Sequence, residues 1–90
     1  MATTDEIFDD ASGDVAIGDL ASAAEKYRRC VEIDPDFFDG WHALGMAHAQ
    51  RGDKESARKY LEAYLGSNPE VEVAAEVRAV LGQMGRAEEE

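Results

Sequence analysis

The stretch that decides the fold is Trp41–Asp53, which reads WHALGMAHAQRGD. Its Trp, Leu, Gly and second His recur at intervals of three, one and three residues, which places them on one face of a helix. Gly52 can end that helix, because glycine readily adopts the left-handed conformation used at helix C-termini. Asp53 can then cap the next helix. The stretch therefore predicts a helix, a tight turn and the start of a second helix.

The landmarks of this stretch occur twice in the chain, 34 residues apart. The recurring pairs are Gly18-Asp19 with Gly52-Asp53, Ala23 with Ala57, Tyr27 with Leu61, and Asp34-Pro35 with Asn68-Pro69. A fixed period of this length indicates a repeat protein, in which each unit buries its apolar face by stacking on its neighbours.

Helical periodicity predicts five helices, and the absence of period-two alternation predicts no strand, so the fold class is all-α. Thr3 and Glu6 have the spacing of a capping box for the first helix. The first four expected helices run from about Thr4 to Ile17, from Leu20 to Ile33, from Phe37 to Gln50 and from Asp53 through Leu65. The fifth begins with Asn68 as its cap and Pro69 in its first turn, and it continues through Met84.

Together these residues resemble the tetratricopeptide repeat, whose 34-residue pattern is W-x2-L-G-x2-Y followed by G, A, F and P. Residues 38–71 match at nearly every position, with His48 in place of Tyr and Leu61 in place of Phe. We expect one domain, with a first repeat at about 4–37, a second at 38–71, a terminal capping helix at 72–85 and an acidic tail at 86–90. The residues that carry the pattern are Gly18, Ala23, Tyr27, Pro35, Trp41, Leu44, Gly45, Gly52, Ala57, Leu61 and Pro69.

The resemblance implies antiparallel helix pairs stacked into a right-handed superhelix, with the first helix of each pair lining a concave groove. It also implies a protein or peptide as partner and no enzymatic activity. The candidate groove residues are Asp9, Asp10, Asp39, His42, Met46, Gln50, Val73, Val77 and Val80. They make one end of the expected groove acidic and the other apolar.

Two departures from the family pattern, and one glycine within a helix, lead to further predictions. Strict spacing would bury Asp10 and Asp14, and an unpaired buried carboxylate is costly, so we shift the first helix by one residue. That shift places Phe8, Ala11, Ser12 and Val15 in the buried positions. Tyr64 replaces a small residue while Ala75 replaces a large one, which predicts contact between them. Gly45 predicts a close helix crossing with Ala57 as the facing residue.

Composition narrows the classes of partner. Twenty acidic residues against nine basic ones give a net charge of −11, and residues 1–25 contain seven carboxylates and no basic residue. Such a field disfavours nucleic acid and anionic membranes, whereas it favours basic peptides. We expect a partner with basic residues at one end and an apolar anchor at the other.

Side chains with catalytic or metal-binding potential are few. His42 and His48 point to different faces of one helix, and we expect His48 to be packed and hydrogen-bonded and Cys30 to be inert. The sequence therefore predicts no catalytic site, metal or cofactor. The single cysteine and the lack of a leader or membrane span predict a cytoplasmic protein. We expect an adaptor or small chaperone-like interaction module; the alternatives are a self-associating homodimer or an interaction domain of a larger protein.

Overall fold

Five helices joined by short turns make up the computed structural model, which describes residues 2–89 and the side chains of residues 2–85. They are α1 (Thr4–Ala16), α2 (Leu20–Ile33), α3 (Phe38–Arg51), α4 (Lys54–Leu65) and α5 (Val71–Glu89). Residues 2–89 contain no strand, so the all-α prediction is confirmed. Across the same residues, none of the helices combines the length and the apolar character needed to cross a bilayer. The expected acidic segment 86–90 lies outside the described side chains.

Side-chain caps fix the starts of three helices as the sequence predicts. At α1, Thr3 and Glu6 exchange hydrogen bonds in a capping box, with N···O distances of 3.1 and 3.2 Å. Asp19 and Asp53, one repeat apart, each accept a hydrogen bond from the backbone N–H three residues later. The two copies therefore begin their second helices by the same device.

The start of α5 differs from the prediction. Asn68 does not cap the helix but adopts a left-handed conformation, with φ of 66°. Its N–H bonds back to the carbonyl oxygen of Leu65, and α5 begins three residues later, at Val71. Asparagine tolerates positive φ better than most residues, so here it continues the turn after α4 rather than starting the next helix.

Two apolar cores hold the helices together, and Trp41 contacts both. The first lies between α1, α2 and α3 and consists of Ala11, Ala23, Ala24, Tyr27, Val31, Leu44 and Ala47. The second joins α4 and α5 to α3 and consists of Ala57, Leu61, Tyr64, Val77 and Met84. The indole ring of Trp41 packs against each core, and its Nε1 donates a hydrogen bond of 2.9 Å to the carbonyl oxygen of Pro35. The repeat tryptophan thus links the two units.

The one-residue shift of α1 is wrong, because α1 repeats the register of α3 at the strict spacing of 34 residues. The two helices begin at Thr4 and Phe38, and the turn hydrogen bonds after α1 recur at the same spacing after α3. Ala11 is fully buried, and Phe8 and Val15 pack against the first core. Ser12, which the shift would bury, is exposed, and its hydroxyl lies 2.9 Å from the Tyr27 hydroxyl. The side chain of Asp10 is mainly exposed, whereas that of Asp14 is only 16% exposed and lies 2.7 Å from the ammonium group of Lys26. The shift assumed an unpaired buried carboxylate, and Lys26 provides the partner.

The close crossing of α3 and α4 exists, but its facing residue is Leu61 and not Ala57. A Cβ atom at Gly45 would lie 2.5 Å from Cδ2 of Leu61, 2.7 Å from its Cγ and 3.2 Å from its backbone nitrogen. Leu61 is fully buried, and its backbone nitrogen cannot move aside as the end of a side chain can. The glycine is therefore a steric requirement of this crossing.

Candidate functional site

The predicted groove residues come from the three odd-numbered helices. Asp9 and Asp10 lie on α1, Asp39, His42, Met46 and Gln50 on α3, and Val73, Val77 and Val80 on α5. The exposed residues of this set are Asp9, Asp10, Asp39 and Gln50. The half-buried ones are His42, Met46, Val73 and Val80. Met46 of α3 and Val73 and Val80 of α5 each pack against the second core and stay partly exposed, and these three residues are called the apolar strip below.

Val77 does not belong to an accessible surface. It is fully buried among Leu61, Tyr64 and Met84 in the second core. Helical periodicity places Val73, Val77 and Val80 on neighbouring faces, but packing of α5 on α4 turns the middle one inward. The apolar part of the surface therefore consists of Met46, Val73 and Val80.

The acidic end of the predicted groove is partly neutralised. The ammonium group of Lys26 lies 3.1 Å from Asp10 and 2.7 Å from Asp14, and these hydrogen bonds raise the pKa of Lys26 above its usual value. Asp9 makes no ion pair with any described residue. A shallow cleft of about 590 Å³ opens here, lined by Ala2, Glu6, Ile7, Asp9, Asp10, Lys26 and Arg29. This end consequently carries both signs of charge.

His42 and Tyr64 form a ring stack on α3 and α4. Their ring centroids are 4.6 Å apart and their planes differ by 12°. Tyr64 is only 7% exposed, and Ala75, its predicted partner on α5, is exposed. Ala75 is therefore not the buried counterpart that the predicted size exchange with Tyr64 requires, and the neighbouring Ala74 is the buried residue of α5.

The carboxylates of Asp39 and Glu70 act electrostatically on Tyr64, the buried member of this stack. Burial raises the pKa of Tyr64, and the negative charges of Asp39 and Glu70 raise it further. Asp39 lies one turn before His42 on α3, and Glu70 immediately precedes α5. Sequence reasoning placed Asp39 and His42 in the groove but missed Tyr64 and Glu70. The sequence signal for Tyr64 was a tyrosine at a position where the family usually has a small residue, but the neighbour chosen for it was Ala75 and not His42.

The remaining side chains with catalytic or metal-binding potential, those of His48 and Cys30, take part in the packing of the helices. The ring of His48 stacks on Tyr60 at 5.5 Å, and its Nδ1 lies 3.3 Å from a carboxylate oxygen of Asp53 without the geometry of a hydrogen bond. Burial lowers the pKa of His48, while Asp53 opposes that shift. His48 is thus packed as predicted, but the predicted hydrogen bond is not formed.

Cys30 is buried, and its thiol contacts the carbonyl oxygen of Thr4 at 3.6 Å. Burial raises the pKa of this thiol, which disfavours the nucleophilic thiolate. The described residues also contain no group of three His, Cys, Asp or Glu side chains arranged to hold a metal ion. What this arrangement offers is a surface for noncovalent contact.

Comparison with known proteins agrees with the repeat geometry. The sequence profile of the tetratricopeptide repeat matches residues 15–88. The chain belongs to the tetratricopeptide repeat family. A tetratricopeptide repeat-containing protein of Pseudomonas aeruginosa, PA0015, is 44% identical over 50 residues, which cover 56% of this chain and 48% of that protein. Another, trd-1 of Caenorhabditis elegans, is 41% identical over 44 residues, which cover 49% of this chain and 6% of that protein.

Tetratricopeptide repeats serve in general as scaffolds for contact between proteins, and they are typically not enzymes. The aligned segment spans about half the length of the P. aeruginosa relative and a small fraction of the C. elegans one. Family membership accordingly gives this chain its general role as an interaction scaffold.

Proposed function

We propose that this tetratricopeptide repeat protein is an adaptor or small chaperone-like module that binds a peptide or helix on the surface of α1, α3 and α5. The observation that carries the proposal is the half-buried apolar strip of Met46 on α3 and Val73 and Val80 on α5, all of which pack against the second core. Partly exposed apolar side chains rimmed by polar ones are typical of binding surfaces. Methionine suits such a strip because its flexible side chain adapts to different partners.

The charge around this strip supports a basic partner with an apolar anchor. Asp9 and Asp39 are exposed and make no ion pair with a described residue, and the whole chain carries a net charge of −11. Exposed charges of this kind mainly raise the association rate, whereas buried apolar contacts mainly slow dissociation. The same charges disfavour nucleic acid and anionic lipid as partners. A buried free thiol at Cys30 fits the reducing cytoplasm as the place of action.

Met46→Asp is expected to abolish binding at every salt concentration without unfolding the protein, because a carboxylate would enter the centre of the apolar strip. The matched control is Ala63→Asp, which puts the same charge on an exposed position of α4. We would capture the partner by affinity pull-down with mass spectrometry and titrate it calorimetrically against both variants. For the unmodified protein, raising salt from low to physiological concentration should weaken binding only moderately, since exposed charges are screened over about 8–10 Å.

Full affinity in Met46→Asp would show that the partner does not use this strip. The second candidate is then self-association, which is favoured by the exposed apolar side chains of Ile17, Ile33, Phe38 and Val71. Light scattering on the same samples separates the two functions, because an adaptor that binds through the groove should remain a monomer before the partner is added.

A further inference from the structure

The imidazole ring of His42 lies on the proposed binding surface with one face stacked on Tyr64. Tyr64 is buried and supports the imidazole ring from below, at a centroid distance of 4.6 Å. His42 is itself half-buried, so part of its side chain stays accessible. A ring that is held flat and partly open offers a platform on which a planar group can stack.

Carboxylates from separate parts of the chain surround this platform. Asp39 comes from the first turn of α3, and Glu70 comes from the residue just before α5. Both are exposed, neither makes an ion pair within residues 2–85, and both act electrostatically on Tyr64.

We infer that the His42–Tyr64 stack, flanked by Asp39 and Glu70, is a seat for one arginine side chain of the bound protein segment. The inference rests on the proposed function, and it names the chemical group that the polar part of the surface recognises. The apolar anchor of the same segment would then lie on Met46, one turn after His42 on α3, and on Val80 of α5.

Arginine fits this seat better than lysine for two physical reasons. Its guanidinium group is planar and stacks on aromatic rings, whereas an ammonium group is a compact and strongly hydrated charge. Its fork of N–H donors can also meet carboxylates on two sides at once. Replacing the arginine of a bound peptide with lysine should therefore weaken binding, although the charge is unchanged.

The test uses a phage library of random twelve-residue peptides, selected on the full chain. The variants are Asp39→Asn with Glu70→Gln, and separately His42→Ala. The matched control is Glu55→Gln with Glu62→Gln, which removes the same two charges from exposed positions of α4. Peptides selected on the unmodified protein are then synthesised and titrated against every variant and against Met46→Asp, with thermal melts as the check of folding.

We expect the selected peptides to share one arginine at a fixed distance from an apolar residue. The Asp39→Asn, Glu70→Gln variant should bind them about tenfold more weakly and lose the preference for arginine over lysine, while the control stays within about twofold. Peptides that depend on Met46 but carry no preferred arginine would overturn the seat and leave the proposed function intact. Failure to select any peptide whose binding depends on Met46 would overturn both.

Discussion

Replacing Gly45 with leucine is expected to lower the free energy of unfolding by about 3 kcal/mol, although leucine is the better helix former by nearly 1 kcal/mol. The reason is the close crossing of α3 and α4. Even the first added atom, the Cβ, would lie 2.5 Å from a side-chain carbon of the fully buried Leu61. Thermal melts would measure the effect, and for a chain of this length each kcal/mol corresponds to about 4–8 °C in Tm.

A matched pair of alanine variants isolates the steric cause. Gly45→Ala should destabilise the protein, whereas Gly13→Ala should stabilise it by about 0.5–1 kcal/mol. Both glycines lie inside helices, but no atom lies within 4 Å of a Cβ placed at Gly13. If both variants were stabilised to the same extent, the close crossing would not exist in solution.

Tyr64→Ala should have a comparably large effect, a loss of about 3 kcal/mol in the free energy of unfolding. The residue is nearly fully buried in the second core, and removing a large ring there leaves a cavity. Ala75→Tyr should change stability by less than about 0.5 kcal/mol, because Ala75 is exposed.

Double-mutant cycles in chemical denaturation would identify the neighbour of Tyr64. Tyr64→Ala and His42→Ala should show a coupling energy of about 0.5–1.5 kcal/mol, since the two rings stack. The effects of Tyr64→Ala and Ala75→Tyr on the free energy of unfolding should be additive within about 0.5 kcal/mol. Coupling to Ala75 in place of His42 would mean that the tyrosine ring faces α5, and the platform proposed for arginine would then be absent.

Local rules predicted the helices and the caps of α1, α2 and α4, because each depends on a few neighbouring residues. Gly18 and Gly52 both have φ near 82°, as their positions after α1 and α3 require, and Asp19 and Asp53 both cap. The shift of α1 was a wrong prediction, because it assumed that a buried Asp14 would be unpaired, whereas Lys26 of α2 lies 2.7 Å from its carboxylate.

The sequence did not decide which of two neighbouring residues on a helix is the buried one. Periodicity places a residue on a face but leaves an uncertainty of about one residue, and this is why Ala75 was selected in place of Ala74 and why Val77 was assigned to the surface. A large ring such as Tyr64 can also turn toward either adjoining helix, and packing decides which. The pairing of Lys26 with Asp10 and Asp14 likewise depends on how α1 lies against α2.

The most direct test of the proposed binding surface is a map of backbone amide chemical shifts, recorded while a selected arginine-containing peptide is titrated into the intact protein. We predict that the largest shifts cluster on α3 and α5, at Asp39, His42, Met46 and Val80, with smaller shifts at Asp9 on α1. The exposed positions of α4, such as Glu55, Lys59 and Ala63, should change little. Shifts concentrated instead on the outer faces of α2 and α4 would contradict the assignment of the binding surface to the odd-numbered helices.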